Sequence, residues 1–89
     1  MMAKHVHVTG RVQGVSFRAY TQAQAEARDV SGWVRNLPDG SVEAVVAGSE
    51  AAVEALIAAM RAGPPMAKVS HVRVATAEPP QEHGFRIIG

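Results

Sequence analysis

The chain has 89 residues, enough for one compact hydrophobic core but not for two. Hydrophobic residues make up 47% of it and charged residues 19%, a balance typical of an ordered globular domain. The net charge of +1 excludes a strong long-range field toward nucleic acid or an anionic membrane, and the lack of cysteine excludes disulfides, thiolate nucleophiles and cysteine metal sites. Because no apolar run approaches a membrane span and the start has no signal core, we expect one domain over residues 1–89, located in the cytoplasm.

The first predicted elements are a strand and a helix. In KHVHVTGRV, Val6, Val8 and Val12 alternate with polar residues, which is the two-residue period of a half-buried strand. A helix is predicted from about Phe17 to Asp29. Its small apolar residues recur every four positions and are predicted to face a sheet: Ala19, Ala23 and Ala27.

A hairpin and a second helix follow. SGWVRNLPDGSVEAVVAG is predicted to form two strands joined at Pro38-Asp39-Gly40. SEAAVEALIAAMRAGPP has the clearest helical pattern, with Ser49 as its cap and Gly63 at its end. The apolar face of this helix is predicted to comprise Val53, Leu56, Ile57 and Met60.

Two more strands complete the order. In AKVSHVRVATA, Val69 is out of phase with Val72 and Val74, which favours a bulge or a late start. After two prolines, FRII can form one short strand. The order β-α-β-β-α-β with a short C-terminal strand predicts an α+β fold, the ferredoxin-like α/β sandwich with two helices on one face of an antiparallel sheet.

This topology brings two distant segments to one edge of the sheet. The first two strands run parallel with the third between them, so the loop after strand one and the end of strand two emerge about 10 Å apart. Asn36, at the end of strand two, is therefore predicted to lie beside the loop in GRVQGVSFR, Gly10 to Arg18.

That loop has the features of an anion site. A glycine turn that leads into a helix presents unpaired backbone N–H groups and the positive end of the helix dipole to one point, which suits phosphate. Arg18 lies in the first helical turn, where its guanidinium can bind two oxygens of the same group. The stretch lacks the Lys-Ser/Thr ending of a Walker loop, so ATP is not implied. Taken alone, such a loop can equally be a simple turn.

Two motifs together resemble the signatures of the acylphosphatase family, G-x-V-Q-G-V-x-F-R and G-W-V-x-N-x-x-D-G-x-V-E. The chain has GRVQGVSFR from Gly10 to Arg18 and GWVRNLPDGSVE from Gly32 to Glu43, and every fixed position matches. GPPMAKVSHVRV is similar to that family's exit from the second helix and its fourth strand, so the resemblance covers essentially the whole chain.

The resemblance implies hydrolysis of the carboxyl–phosphate bond of an acyl phosphate to a carboxylate and inorganic phosphate, with no metal and no cofactor. Carried over by motif, Arg18 binds the phosphoryl group and Asn36 orients the attacking water. The implied phosphate-binding loop is Val12, Gln13, Gly14, Val15, Ser16 and Phe17, and Gly14 lets the backbone approach closely. Because neither motif contains histidine or cysteine, we expect direct in-line attack by water without a phosphoenzyme, with the substrate as proton acceptor.

Two other functions stay open at this point. One is a non-catalytic accessory domain that binds acyl or carbamoyl phosphate for a larger machine. The other is an RNA-binding module of the same element order, although strands one and three carry no aromatic residue for base stacking. We expect an enzyme that acts as a monomer on a small-molecule acyl phosphate, with no nucleic-acid or membrane partner.

The remaining polar residues are interpreted as structural. His5, His7 and His71 could be metal ligands, but alternating histidines without an acidic partner are more typical of a solvated sheet face. Arg86, in the atypical ending FRIIG, is not assigned to the site. The other interpretations are Trp33 and Tyr20 as packing residues, Arg11 and Arg35 as solvated charges, and Asp39 as a turn residue.

Overall fold

The computed structural model describes residues 1–89 and contains five strands and two helices. In chain order these are β1 Met2–Arg11, α1 Phe17–Ala27, β2 Ser31–Asn36, β3 Val42–Gly48, α2 Glu50–Ala62, β4 Lys68–Thr76 and β5 Phe85–Ile87. Every predicted element is present in the predicted order. Neither helix has the length and apolar character that crossing a membrane requires.

The sheet has the strand order β4-β1-β3-β2-β5. β1 and β2 both pair antiparallel with β3, so they run parallel on either side of it, as predicted. β5 reverses direction relative to β4 and reaches the far edge of the sheet, where it pairs parallel with β2. The ferredoxin-like arrangement is confirmed, with one parallel pair that makes the sheet mixed.

The hydrophobic core lies between the sheet and the two helices. It is one cluster of 15 buried apolar residues contributed by the strands and by one face of each helix. α2 buries the predicted face, which comprises Val53, Leu56, Ile57 and Met60. The Ser49 hydroxyl accepts a hydrogen bond from the backbone N–H of Ala52 at 3.2 Å, and the helix ends at Gly63, so both predicted ends are confirmed.

The first helix, α1, buries a different face from the one that its alanine spacing predicts. The buried residues are Phe17, Thr21 and Ala25, and the exposed ones are Ala19, Ala23 and Ala27. Both sets recur every four residues, so spacing alone does not choose between them. Burying the Phe17 ring removes far more apolar area from water than burying a methyl group, and that difference selects the face. Tyr20 packs beside it and donates its hydroxyl to the carbonyl of Ala59 in α2 at 2.9 Å.

A bulge in β4 accounts for the different phase of Val69 and the later valines of that strand. The pairing of β1 with β4 shifts register between Thr9 and Gly10, which leaves Ser70 as the extra residue. Gly10 has φ 122°, and a Cβ at that position would lie 2.2 Å from the carbonyl oxygen of Lys68. The bulge predicted from the phase of Val69 is therefore confirmed, and only glycine fits opposite it.

The hydroxyl of Thr21 is buried in the core without a hydrogen-bond partner. Valine keeps the side-chain shape and removes the desolvated polar group, so we expect Thr21→Val to raise the free energy of unfolding by about 1 kcal/mol. Urea unfolding followed by circular dichroism measures the change. Thr76→Val, at the exposed end of β4, is the control and should change stability by less than about 0.5 kcal/mol. Lower stability of Thr21→Val would contradict the expectation.

Candidate active site

The loop after β1, the start of α1 and the end of β2 line a cleft of about 420 Å³. Its lining residues are Val12, Gln13, Gly14, Ser16, Phe17, Arg18, Ala19, Asn36 and Ile87. All the site residues predicted from the sequence are among them except Val15, whose side chain packs against the core. The structure therefore brings the predicted loop, the arginine and the asparagine to one place.

The register of the central strands explains this convergence. Val8 of β1 and Asn36 of β2 both pair with the same residue of β3, Val42. These three residues form one row across the sheet, so Asn36 lies two strand spacings, about 10 Å, from the part of β1 that leads into the loop.

The backbone of the loop is curled in a way that suits an anion. Gly14 has φ 75° and Ser16 has φ 64°, so left-handed residues lie on both sides of Val15. A non-glycine residue in this region is uncommon, and such residues cluster at binding and catalytic sites. Turns of this kind direct successive backbone N–H groups into one concavity.

The start of α1 contributes further unpaired donors. Ser16 is the N-cap residue, but its side chain does not cap the helix. The first turn contains no acidic side chain, so the positive end of the helix dipole is not neutralised from within the helix. No carboxylate lines the cleft either. The site therefore favours a bound anion.

Arg18 is held in place by the residues that follow β5. Its Nη1 donates to the main-chain oxygen of Gly89 at 2.5 Å, and the same oxygen accepts the backbone N–H of Asn36 at 2.9 Å. Arg18 forms no salt bridge with an Asp or Glu side chain. Because a guanidinium has five N–H donors, four remain for oxygen atoms in the cleft.

Asn36 carries an amide group without a partner inside the protein. Neither polar atom of its side chain makes a hydrogen bond to another residue, and Oδ1 is buried. Most buried polar atoms in proteins are paired, so an unpaired one beside a cleft is a feature of functional sites. This amide can accept from or donate to a small polar molecule in the cleft.

Sequence reasoning missed the contribution of the C-terminal segment. Ile87 lines the cleft and Gly89 fixes Arg18, but no local sequence signal predicts that β5 pairs with β2. Arg86 does not line the cleft and pairs with Glu82, in agreement with its exclusion from the site on sequence grounds.

The turn between β2 and β3 is tightly bonded beside the cleft. Asp39 accepts hydrogen bonds from the hydroxyl of Ser41 at 2.5 Å and from its backbone N–H at 2.9 Å, and these bonds lower the pKa of Asp39. Asp39 is thus a turn residue, as the sequence indicates. The Ser41 hydroxyl donates its one hydrogen bond to Asp39. In the 2.9 Å contact between Ser41 Oγ and His7 Nε2, the serine oxygen therefore accepts and the histidine donates.

A second polar network lies on the sheet face opposite the helices, outside the cleft. Glu43 accepts hydrogen bonds from His5 Nε2 and from Arg35 Nε, each at 2.7 Å. The Arg35 guanidinium carbon lies 5.5 Å from the centre of the Trp33 ring. Arg35 is an exposed charge on this face, as its alternation along the strand predicts, and in addition it contacts a carboxylate and an aromatic ring. Within the whole chain, no three potential metal ligands come together.

This network makes stability depend on pH. The hydrogen bond from His5 is the largest cause that holds the pKa of Glu43 below its ordinary value; burial opposes it, and Arg35 lowers it further. A carboxyl group with a lowered folded-state pKa contributes stability that is fully present above the pKa it has in the unfolded chain. We expect that contribution to disappear as pH falls through the folded-state pKa.

Urea midpoints at pH 7 and pH 3 measure this effect. Glu43→Gln should lose stability at pH 7 and show a smaller difference between the two pH values than the parent chain. Glu54→Gln, at an exposed position of α2 without a hydrogen bond or ion pair, is the matched control. An unchanged difference in Glu43→Gln would contradict the assignment.

The chain is similar to known proteins in both sequence and structure. The family model described as Acylphosphatase matches residues 4–87. An acylphosphatase from Acidiphilium cryptum is 51% identical over 85 residues, which cover 96% of this chain and 93% of that protein. One from Thermococcus kodakarensis is 49% identical over 85 residues, with the same coverage of 96% and 93%. The crystal structure of acylphosphatase from Bacillus subtilis matches with a TM-score of 0.94 and 37% identity, over 100% of both chains.

Proposed function

The chain belongs to the acylphosphatase family, and from this premise we propose that it hydrolyses the carboxyl–phosphate bond of acyl phosphates by direct attack of water. The resemblance that the two sequence motifs indicate is thereby confirmed. Relatives named acylphosphatase match over nearly their full length, which does not favour the accessory-domain and RNA-binding alternatives.

One observation carries the proposal for the site. The curled loop, Arg18 and the unpaired amide of Asn36 come from three different elements and line the same cleft. Loop N–H groups and the guanidinium suit the oxygens of a phosphoryl group, which bear the charge in the transition state. The neutral amide of Asn36 suits a water molecule, which it can hold without taking its proton.

The reaction follows from these roles. The oxygen of the water held by Asn36 attacks phosphorus, while the bond from phosphorus to the carboxyl oxygen breaks and the carboxylate leaves with the electron pair. Arg18 and the amides of residues 12–17 stabilise the equatorial oxygens as the phosphoryl group passes from leaving group to water. Because a carboxylate is a good leaving group, positioning and charge stabilisation supply most of the rate gain.

Proton transfer is assigned to the substrate. No carboxylate, imidazole or thiol lines the cleft, so the chain offers no general base there and no ligand set for a divalent cation. The proton of the attacking water passes to a phosphoryl oxygen of the substrate itself. Ser16 is the one hydroxyl side chain among the lining residues, and without an adjacent base it is not an activated nucleophile.

The proposed enzyme is a cytoplasmic monomer that acts on small acyl phosphates and releases inorganic phosphate. The loop, Arg18 and Asn36 meet within a single chain, so the proposed chemistry requires no residue of a second subunit. A chain without cysteine is well suited to a reducing compartment.

The direct test is the loss of benzoyl phosphate, followed by ultraviolet absorbance in the presence of a chelator. We expect metal-independent turnover by the intact chain and a fall in kcat/KM of at least about 10²-fold in Arg18→Ala and in Asn36→Ala. Arg73→Ala, an exposed arginine without an ion pair, is the matched control and should keep the parent rate.

Two results would contradict the proposal. The first is a folded parent chain that does not exceed the spontaneous rate of hydrolysis. The second is a phosphorylated protein, detected by mass spectrometry after an acid quench during turnover, because direct attack by water leaves no phosphate on the chain.

A further inference from the structure

We propose that the side chain of Gln13 is a positioning residue that sets the distance between the phosphate-binding loop and Asn36. This inference rests on the proposed function, since it assigns a further part of the same site. The loop and Asn36 belong to different elements, and the chain that connects them runs through α1 and β2. The sheet register brings them to within about 10 Å of each other, and a direct contact between the two segments can fix the remaining distance.

Gln13 makes that contact with both hydrogens of its amide group. Its Nε2 donates to the carbonyl of Leu37 and to the carbonyl of Ser41, each at 2.8 Å. We call these two hydrogen bonds the Gln13 clamp. Gln13 directly precedes Gly14 in the loop and Leu37 directly follows Asn36, so the clamp joins the immediate neighbours of the two proposed functional segments.

The two carbonyls that the clamp grips belong to a rigid turn. The Leu37 carbonyl also accepts the N–H of Gly40 at 3.1 Å, and the Ser41 carbonyl also accepts the N–H of Leu37 at 2.8 Å. Ser41 is nearly fully buried and is fixed further by its bonds to Asp39 and His7. The clamp therefore ties the loop to an anchor that cannot shift by rotation of one side chain.

The chemistry of the clamp separates its role from that of the loop amides. Both N–H donors of the Gln13 amide are used within the protein, so this nitrogen has no donor left for a phosphoryl oxygen. The clamp fixes the distance from the loop, which holds the phosphoryl group, to the water on Asn36, and a misplacement of about 1 Å at a reacting group can cost about 10²-fold in rate. Gln13→Met removes no group that binds phosphate, since the loop amides and Arg18 remain, so a shift of the loop relative to Asn36 lowers kcat more than phosphate affinity.

The test compares Gln13→Met with Gln22→Met in the full chain. Gln22 also donates its amide to a backbone carbonyl, that of Phe85 at 3.2 Å, but it does not line the cleft. We expect Gln13→Met to lower kcat for benzoyl phosphate by about 10-fold to 10²-fold, with KM and the inhibition constant of inorganic phosphate nearly unchanged. Gln22→Met should keep the parent kcat. Gln13→Glu should be at least as impaired, since a carboxylate would face two carbonyl oxygens.

A second measurement needs no turnover. Asn36 is the single asparagine of the chain, so selective ¹⁵N labelling of asparagine gives one pair of side-chain amide signals in an NMR spectrum. We expect this pair to shift or broaden in Gln13→Met and to stay in place in Gln22→Met.

The outcomes distinguish the two proposals. An inactive parent chain would overturn the proposed function, whereas the Asn36 signals would still test the clamp. An unchanged kcat and unchanged Asn36 signals in Gln13→Met would overturn the clamp. A loss of phosphate affinity as large as the loss of kcat, or an equal loss in Gln22→Met, would also overturn it, because either result would assign Gln13 a role in loop shape or general stability.

Discussion

The antiparallel pairing of β3 with both of its neighbours is the constraint on which the cleft depends. Val42, the first residue of β3, pairs on one side with β1 and on the other with β2. A shift of either register by two residues would move the loop relative to Asn36 by about 7 Å and separate the groups of the site. The buried positions of the three strands resist a one-residue shift, because it would exchange the core face of the sheet for the solvent face. Packing of the core therefore fixes the strand register on which the site is built.

Several locally unfavourable features are concentrated at the cleft. Ser16 is one of two non-glycine residues with positive φ, the start of α1 lacks a side-chain cap, and the amide of Asn36 has no partner. Each of these features costs folding free energy and would be repaired by a sequence selected for stability alone. An anionic ligand reverses the sign of two of them, because it accepts from the uncapped helix and from the curled backbone. The cost in the free protein is thus consistent with a site preorganised for phosphate.

The sequence predicts most of this arrangement because its signals are local or topological. Caps, turn residues and the phase of Val69 each follow from nearest neighbours, and the element order alone places Asn36 beside the loop. The sequence does not predict which of two helix faces with the same spacing is buried, nor does it predict contacts between distant segments. The alanines of α1 have the same spacing as the face that is buried, and only the size of Phe17 decides between them. The hydrogen bonds from Arg18 to Gly89 and from Gln13 to the turn join residues that are far apart in the chain, and no local sequence pattern predicts them.

The pairing of β1 with β4 also bears on how fast the domain can form. Lys4 pairs with Thr76, so two strands from opposite parts of the chain must meet before either gains the stabilisation of that ladder. Closing so long a loop lowers the chain entropy before the stabilising contacts between the two strands form. Chains rich in distant contacts therefore fold more slowly than helical bundles of equal length. The two helices can form early without shortening this search. The rate at which the chain reaches its native state is therefore set by the sheet, and substitutions in β1 that weaken the ladder should slow folding more than equally destabilising changes on the exposed side of α2.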